Sequence, residues 1–178
     1  MLPSLYVVIM IPKDKKYSML VKQHKNMVYG YALYMLKDRM EADDAAQEVL
    51  IRLWENLDKI NLLSAKQWLM RTTHNLCIDY FRKRKPVYQI NEDFEESIEA
   101  KESESSPLIM TQLKMATNKV KELIKELPDH LRSVFVLYEI EGLKYKEISK
   151  TLDLPINTVK VQLLRARKQL QAGLKNYV

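Results

Sequence analysis

Glycine is scarce in this 178-residue chain: three occur, at Gly30, Gly142 and Gly173. Few positions can therefore take the positive φ that tight hairpins, phosphate-cradling loops and open nucleotide-binding sheets require. Cysteine is scarcer still. Cys77 stands alone, which excludes an intramolecular disulfide scaffold and a multi-thiolate metal cage and points to a reducing compartment. His24, His74 and His130 are the only histidines and are scattered singly, so no metal-ligand spacing arises, and no catalytic, metal or cofactor site is expected. No apolar run reaches the ~20 residues of a membrane span. The nearest, residues 5–11, also lacks the basic start and small-residue cleavage site of a secretory signal; with Met10 and Met19 downstream it reads as an over-long start or a frayed tail.

What is present is 47% hydrophobic residues, a net charge of +6 and helical spacing almost throughout. At ~100–200 residues per domain, the length allows one ordinary domain or two small ones. Charge is distributed unevenly: residues 1–85 carry 15 Lys/Arg against 9 Asp/Glu, residues 86–107 carry 1 against 7, and residues 108–178 carry 13 against 7. The acidic spacer has almost nothing apolar to bury and reads as a flexible, self-repelling linker. Apolar residues recur at helical spacing over roughly 15–38, 41–58 and 64–84 before it, and over roughly 108–126, 128–140, 144–152 and 156–173 after it. Ser64 with Gln67 three residues on forms a capping-box signature, Pro128 suits a first helical turn, and Gly142 marks a helix stop. The expected fold is all-α: a domain over 15–85, an acidic linker over 86–107, and a second small helical domain over 108–175 containing a helix-turn-helix.

That motif is read from residues 142–160. A helix-turn-helix needs a small residue at the crossing, a turn residue that tolerates the left-handed conformation, and apolar anchors on both sides. Ser149, Asp153 and the set Ile148, Leu152, Leu154 and Val159 supply them, while Lys144 offers no side-chain cap. Winding the second helix at 3.6 residues per turn places Val159, Leu163, Ala166 and Leu170 on a buried stripe. Asn157, Val161, Leu164, Arg165 and Lys168 fall on the opposite side, with Thr158, Lys160 and Arg167 at its flanks. Such a face fits a major groove: Arg165 is able to pair with a guanine edge, Val161 and Leu164 to meet thymine methyls, and Thr158, Lys160, Arg167 and Lys168 to hold phosphates.

In the first domain, Ala46, Val49, Leu50, Leu53 and Leu57 make the expected core stripe of the second helix. Asp44, Gln47, Glu48 and Ile51 share its exposed side, an acidic and partly apolar face better suited to a protein than to DNA, although acids near a helix start also complement the dipole. In the third helix Trp68, Leu69, Leu76 and Tyr80 have core-like spacing. Arg71, Asn75, Asp79 and Arg82 lie along one ridge that ends in a basic cluster, able to address bases and backbone or simply to complement a helix C-terminus. Cys77 reads as a small buried hydrophobe.

Taken in order, residues 43–54 (Asp43-Asp44-Ala45-Ala46-Gln47-Glu48-Val49-Leu50-Ile51-Arg52-Leu53-Trp54), Trp68-Leu69-Met70-Arg71 through Asn75-Leu76 and Asp79, Leu127-Pro128, Glu139-Ile140-Glu141-Gly142-Leu143, and Thr158-Val159-Lys160 through Arg165-Ala166-Arg167 resemble the bacterial RNA polymerase sigma factors of the extracytoplasmic-function group, over about residues 18–172. The resemblance implies a cytoplasmic transcription-initiation specificity subunit, not an enzyme, without cofactor or small-molecule substrate. It implies binding to core RNA polymerase, through the clamp coiled coil of the largest subunit and the flap, with Asp44, Gln47, Glu48 and Arg52 in core-binding roles. Lys59, Asn61, Ser64, Arg71, Asn75, Asp79 and Arg82 inherit contacts to the minus-ten element of promoter DNA, and the helix over 156–170 inherits the minus-thirty-five element. Many relatives are held by an anti-sigma factor, which makes one an implied partner.

Primary sigma factors carry paired tryptophans where this chain has Arg71 and Thr72, which implies weaker intrinsic melting. Three residues depart from the family pattern: Asp153 replaces the usual turn glycine, Pro155 a common capping serine, and Asn157 a frequent glycine. The rival readings are an autonomous helix-turn-helix regulator, which would bind its operator tightly without polymerase, and a helical adaptor that binds only proteins.

Overall fold

The structure is a computed structural model that describes residues 11–84 and 107–175, with side chains in the second stretch from Met115 onward. The acidic linker expected over 86–107 lies outside the described residues except for Pro107, which opens a helix, and so does the apolar run over 5–11 except for Ile11.

Among the described residues seven α-helices follow one another: α1 (Lys13–Leu36), α2 (Arg39–Asn56), α3 (Ala65–Lys83), α4 (Pro107–Glu126), α5 (Asp129–Phe135), α6 (Tyr145–Leu152) and α7 (Ile156–Lys175). A 3-10 turn, Leu62–Ser64, precedes α3, and α5 continues into a π turn, Val136–Ile140. No strand occurs among the described residues. The all-α expectation holds, and each expected helical stretch is found with its ends shifted by a few residues.

Local chemistry explains the joints. α1 ends on Lys37, which adopts the left-handed conformation at φ 61° and donates its N–H to Leu33 O. Asp38 then caps α2, its carboxylate accepting from the Glu41 N–H at 2.9 Å. A two-residue joint leaves α1 and α2 as packed neighbours, and α3 closes a three-helix bundle against both. At the start of α3 the expected capping box does not form: Ser64 makes no side-chain cap, and its hydroxyl turns back to donate to Asn61 O at 3.1 Å. Ser64 also closes the preceding 3-10 turn, so its hydroxyl is drawn to the nearer carbonyl.

The buried stripe of α2 is Ala42, Ala45, Val49 and Leu53, with Leu57 just beyond, whereas Ala46 and Leu50 are only half-buried. Val49, Leu53 and Leu57 belong to both possible stripes, and the flanking alanines are equally small, so spacing alone did not fix the rotation. In α3, Leu69, Leu76 and Cys77 are buried as expected, but Trp68 and Tyr80 sit at the rim, and Ala65, Met70 and Thr73 are buried instead. The cause is a second neighbour: α6 packs on α3, widening its covered surface beyond one stripe.

α4, α5 and α6 pack on α7 in the second helical unit, and α5 is also covered by α1. Leu131, Arg132, Ser133 and Val134 are consequently buried in succession. The same crowding accompanies the π turn, where Glu141 N–H reaches back to Val136 O at 3.0 Å and Leu143 N–H to Leu137 O at 2.9 Å. Gly142 takes φ +66° at this exit and meets no neighbour within 4 Å, so its conformational freedom, rather than its size, is what the joint uses.

The two units are joined by hydrogen bonds to backbone. Arg132 is 1% exposed; its guanidinium donates to Lys125 O (3.0 Å), Leu127 O (2.6 Å) and, across the boundary, Met35 O (3.2 Å), and it pairs with Asp129. Its Nε has no partner, an orphaned donor of a kind that costs about 1–3 kcal/mol when buried. Lys66 on α3 donates to Glu141 O at 2.7 Å. Burial pushes the Glu141 carboxyl up to about 7, against the opposing pull of the Lys66 ammonium. Burial of His74, whose Nδ1 bonds the Tyr31 hydroxyl at 2.9 Å, pushes its imidazole down to about 4.

The two groups act with opposite sign. His74 binds fewer protons when folded, so stability rises with pH between about 4 and 6.5; Glu141 binds more, so docking of the two units weakens as pH rises from about 4.5 and levels off above 7. Above about 6.5 only Glu141 remains in play. Energy transfer between dyes on cysteines introduced into α2 and α7 is expected to fall as pH is raised from 6 to 8, and to lose that dependence in Glu141→Gln. Cys77 stays unlabelled in such an experiment, because burial holds its thiol up at about 12. A flat profile in the unmodified protein would contradict the linkage.

Candidate functional site

The surfaces expected to act on partners lie on three helices. On α7, Val159, Leu163, Ala166 and Leu170 are buried, as the sequence requires. Asn157, Lys160, Val161, Leu164, Arg165, Arg167 and Lys168 are exposed and Thr158 is half-buried, so the expected reading face is open to solvent. Two apolar members, Val161 at 47% and Leu164 at 54% exposure, have their surface largely in water. Arg165 and Lys168 project beside them.

The turn that aims this helix absorbs the family departures. Asp153 adopts φ 55°, ψ 46°, the left-handed conformation normally given to glycine. Its N–H reaches Ser149 O, Leu154 N–H reaches the same oxygen at 3.0 Å, and the Ser149 hydroxyl donates to Leu154 O at 2.5 Å. Ser149 therefore braces the turn through its hydroxyl as well as through its small size. Pro155 O accepts the Val159 N–H at 3.1 Å, the first backbone bond of α7, but proline has no side-chain oxygen, so the cap a serine would supply is absent there. At the start of α6, the Glu147 carboxylate accepts from the Lys144 N–H at 2.7 Å, half of a capping box.

Two of the expected phosphate-holding cations are tethered. Tyr138 and Tyr145 stack with centroids 4.9 Å apart, Lys160 Nζ sits 5.7 Å from the Tyr145 ring, and the Arg167 guanidinium lies 5.4 Å from the Tyr138 ring. Arg167 Nε also donates to Glu139 at 2.7 Å, a bond that holds its charge in place and ties α7 to the π turn. Spacing gave no hint of this pairing, because Glu139 is 28 residues away. Lys146 and Lys150, to which the sequence pattern assigned no role, are exposed one turn apart on α6, the first helix of the motif.

On α3, Arg71, Asn75 and Arg82 are exposed and Asp79 is half-buried, forming the expected ridge. Asp79 and Arg82 are 3.5 Å apart. The terminal basic cluster is not uniform: Arg84 turns inward to Leu36 O at 2.8 Å and to the Glu41 carboxylate, and so closes the first bundle. The Thr72 hydroxyl donates to Trp68 O at 2.8 Å, leaving Arg71 as the free polar group of that pair of positions.

Before α3, Lys59, Asn61 and Ser64 are exposed on one short loop. The Asn61 side chain accepts from the Leu63 N–H at 3.0 Å. Leu63 itself is 95% exposed, an apolar tip that periodicity had assigned no role. On α2, Asp44 and Gln47 are exposed, and Glu48 and Arg52 are half-buried and paired at 2.9 Å. Ile51 and Trp54 add exposed apolar surface at 54% and 43%, so an acidic face with an apolar seam stands opposite the buried stripe.

Comparison with known proteins matches this architecture in order. The sequence profile of Sigma-70 region 2 matches residues 20–87, and that of Sigma-70 region 4 matches residues 117–170. The chain is 30% identical over 167 residues to the ECF RNA polymerase sigma factor SigW of Bacillus subtilis, covering 88% of each chain. To SigM of the same organism it is 31% identical over 151 residues, covering 85% of this chain and 90% of that one. Among solved structures, the sigma factor RpoE of Bartonella quintana, crystallised with the anti-sigma factor NepR, superposes with a TM-score of 0.74 at 21% identity, covering 90% of this chain and 98% of that one, a likeness of fold. These helices and their matches define a promoter-specificity subunit of transcription initiation. The chain belongs to the extracytoplasmic-function sigma factors of RNA polymerase. An autonomous regulator is the less favoured reading. No helix among the described residues is long and apolar enough to cross a membrane.

The left-handed turn gives a direct test of the local argument. Asp153→Gly is expected to leave stability within about 1 kcal/mol, whereas Asp153→Val, forcing a β-branched residue into φ 55°, should cost about 1–2 kcal/mol in urea unfolding. Equal effects of the two changes would show that the turn is not what holds α7.

Proposed function

We propose that residues 15–85 bind core polymerase and read the minus-ten element, that residues 86–107 connect, and that residues 108–175 read the minus-thirty-five element, with no catalytic chemistry in the chain and with the cytoplasm as its place of action. The observation that carries this division is the opposition of surfaces: an acidic, partly apolar face on α2 and two cation-bearing faces on α3 and α7, each set against a buried stripe.

Asp44, Gln47, Glu48 and Arg52 meet the clamp coiled coil of the largest subunit, with Ile51 supplying the apolar centre that a protein interface uses. Lys59, Asn61, Ser64, Arg71, Asn75, Asp79 and Arg82 address the melted strand. Opening one base pair costs a few kcal/mol of stacking and pairing, recovered when the protein holds the unstacked base. On α7, Arg165 reads a base edge beside Val161 and Leu164; Asn157, Thr158, Lys160 and Lys168 position the helix on the backbone, and Arg167 does so from its Glu139 tether. The flap is the second docking point on polymerase. An anti-sigma factor is a further partner: RpoE was solved with NepR and CnrH with the cytosolic domain of CnrY, and the present fold resembles both.

Run-off transcription with purified core polymerase separates these roles. Gln47→Ala should weaken core binding by about tenfold with promoter preference intact. Arg165→Ala should lose about 1–3 kcal/mol of discrimination at one position of the upstream element while core binding stays normal. Tight, polymerase-independent binding of the promoter by the purified chain would refute the assignment.

A further inference from the structure

The loop between α2 and α3 is built on a side chain that neither periodicity nor charge pattern had singled out. Leu57 and Ile60 are buried pegs at 0% and 5% exposure, which turn their neighbours Lys59 and Asn61 outward. Their carbonyls lie past the last turn of α2, where backbone acceptors have no helical partner. Lys16, a half-buried residue in the first turns of α1, places its ammonium on both: Lys16 Nζ donates to Leu57 O at 2.7 Å and to Ile60 O at 2.9 Å. One turn earlier Lys13 pairs with Asp58 at 3.1 Å and lies 5.1 Å from the Trp54 ring, but at an exposed site that water weakens.

We infer that Lys16 is a positioning residue for promoter opening, locking the loop 57–64 so that Lys59, Asn61, Leu63 and Ser64 are presented to the unstacked base in a fixed arrangement. The inference rests on the proposed reading of the minus-ten element by this loop. Its physical basis is preorganisation. Two charge-assisted bonds to backbone fix the point where the chain leaves α2, and the Asn61 and Ser64 turns fix the rest. An apolar tip as exposed as Leu63 has no packing partner to hold it, so its direction is set entirely by the backbone beneath it. Without the ammonium, two carbonyls at the end of α2 turn to water and the loop samples several exits, so binding of an unstacked base must bear the ordering cost. Lysine suits the task because its stem crosses the apolar gap between α1 and α2 while its compact head serves two acceptors.

The test uses full-length protein reconstituted with core polymerase, and promoters carrying single base changes in the minus-ten or the minus-thirty-five element. Lys16→Met, which keeps the stem and removes the donor, is expected to slow open-complex formation about tenfold on the intact promoter. It should compress the rate differences among minus-ten variants, leaving core affinity and the minus-thirty-five differences unchanged; Lys16→Arg should restore most of both. A uniform loss across both elements, or wild-type discrimination in Lys16→Met, overturns the inference. Asn61→Ala and Arg71→Ala serve as reference variants. If they flatten minus-ten discrimination and Lys16→Met does not, the positioning role alone falls; if none of the three does, the assignment of this loop to the minus-ten element falls with it.

Discussion

Backbone carbonyls left over at helix ends are satisfied in this protein by cations that come from elsewhere in the chain. The last carbonyls of a helix need partners, and the usual solution turns the chain through a glycine so that its own N–H groups fold back. With three glycines to serve the seven α-helices of the described residues, that solution is used sparingly. Arg132 holds Lys125 O, Leu127 O and Met35 O; Lys16 holds Leu57 O and Ile60 O; Arg84 holds Leu36 O; Lys66 holds Glu141 O. Each such cation joins the helix it sits on to another, so capping and tertiary assembly become one interaction. Where the chain folds back on itself without a glycine, at Lys37 and Asp153, it accepts a left-handed non-glycine residue.

This arrangement alters the meaning of the positive charge. A basic chain with pI near 9.2 invites assignment of its cations to a polyanion. Part of that charge is already committed. Arg132, Arg84, Lys16 and Lys66 are structural donors, and Arg167 is anchored by Glu139 and the Tyr138 ring. Arg71, Arg165 and Lys168 are left open on the expected faces, while Arg82 lies 3.5 Å from Asp79. Selectivity for a promoter, rather than indiscriminate adhesion to nucleic acid, is easier to build from a few positioned charges than from many free ones.

The third helix concentrates the remaining constraints. One side of α3 completes the first bundle, a second side packs on α6 of the other unit, and the ridge from Arg71 to Arg82 is what remains for solvent. Because Lys66 and Glu141 meet at the boundary, the protonation of one carboxyl is tied to how closely the two units associate. The ridge from Arg71 to Arg82 and the boundary between units therefore share a helix.

Local patterns already contained the helices, the buried stripe of α7, the left-handed turn at Asp153, the stop at Gly142 and the order of the two family segments, because each depends on neighbours within a few residues. The rotation of α2, the burial of Met70 and Thr73 with Trp68 and Tyr80 left at the rim, and the π turn after α5 were decided only when helices from distant parts of the chain met. So were the partners of the cations: whether an arginine or lysine reads DNA or caps a carbonyl depends on which backbone lies within about 3 Å of its head, and no periodicity records that distance.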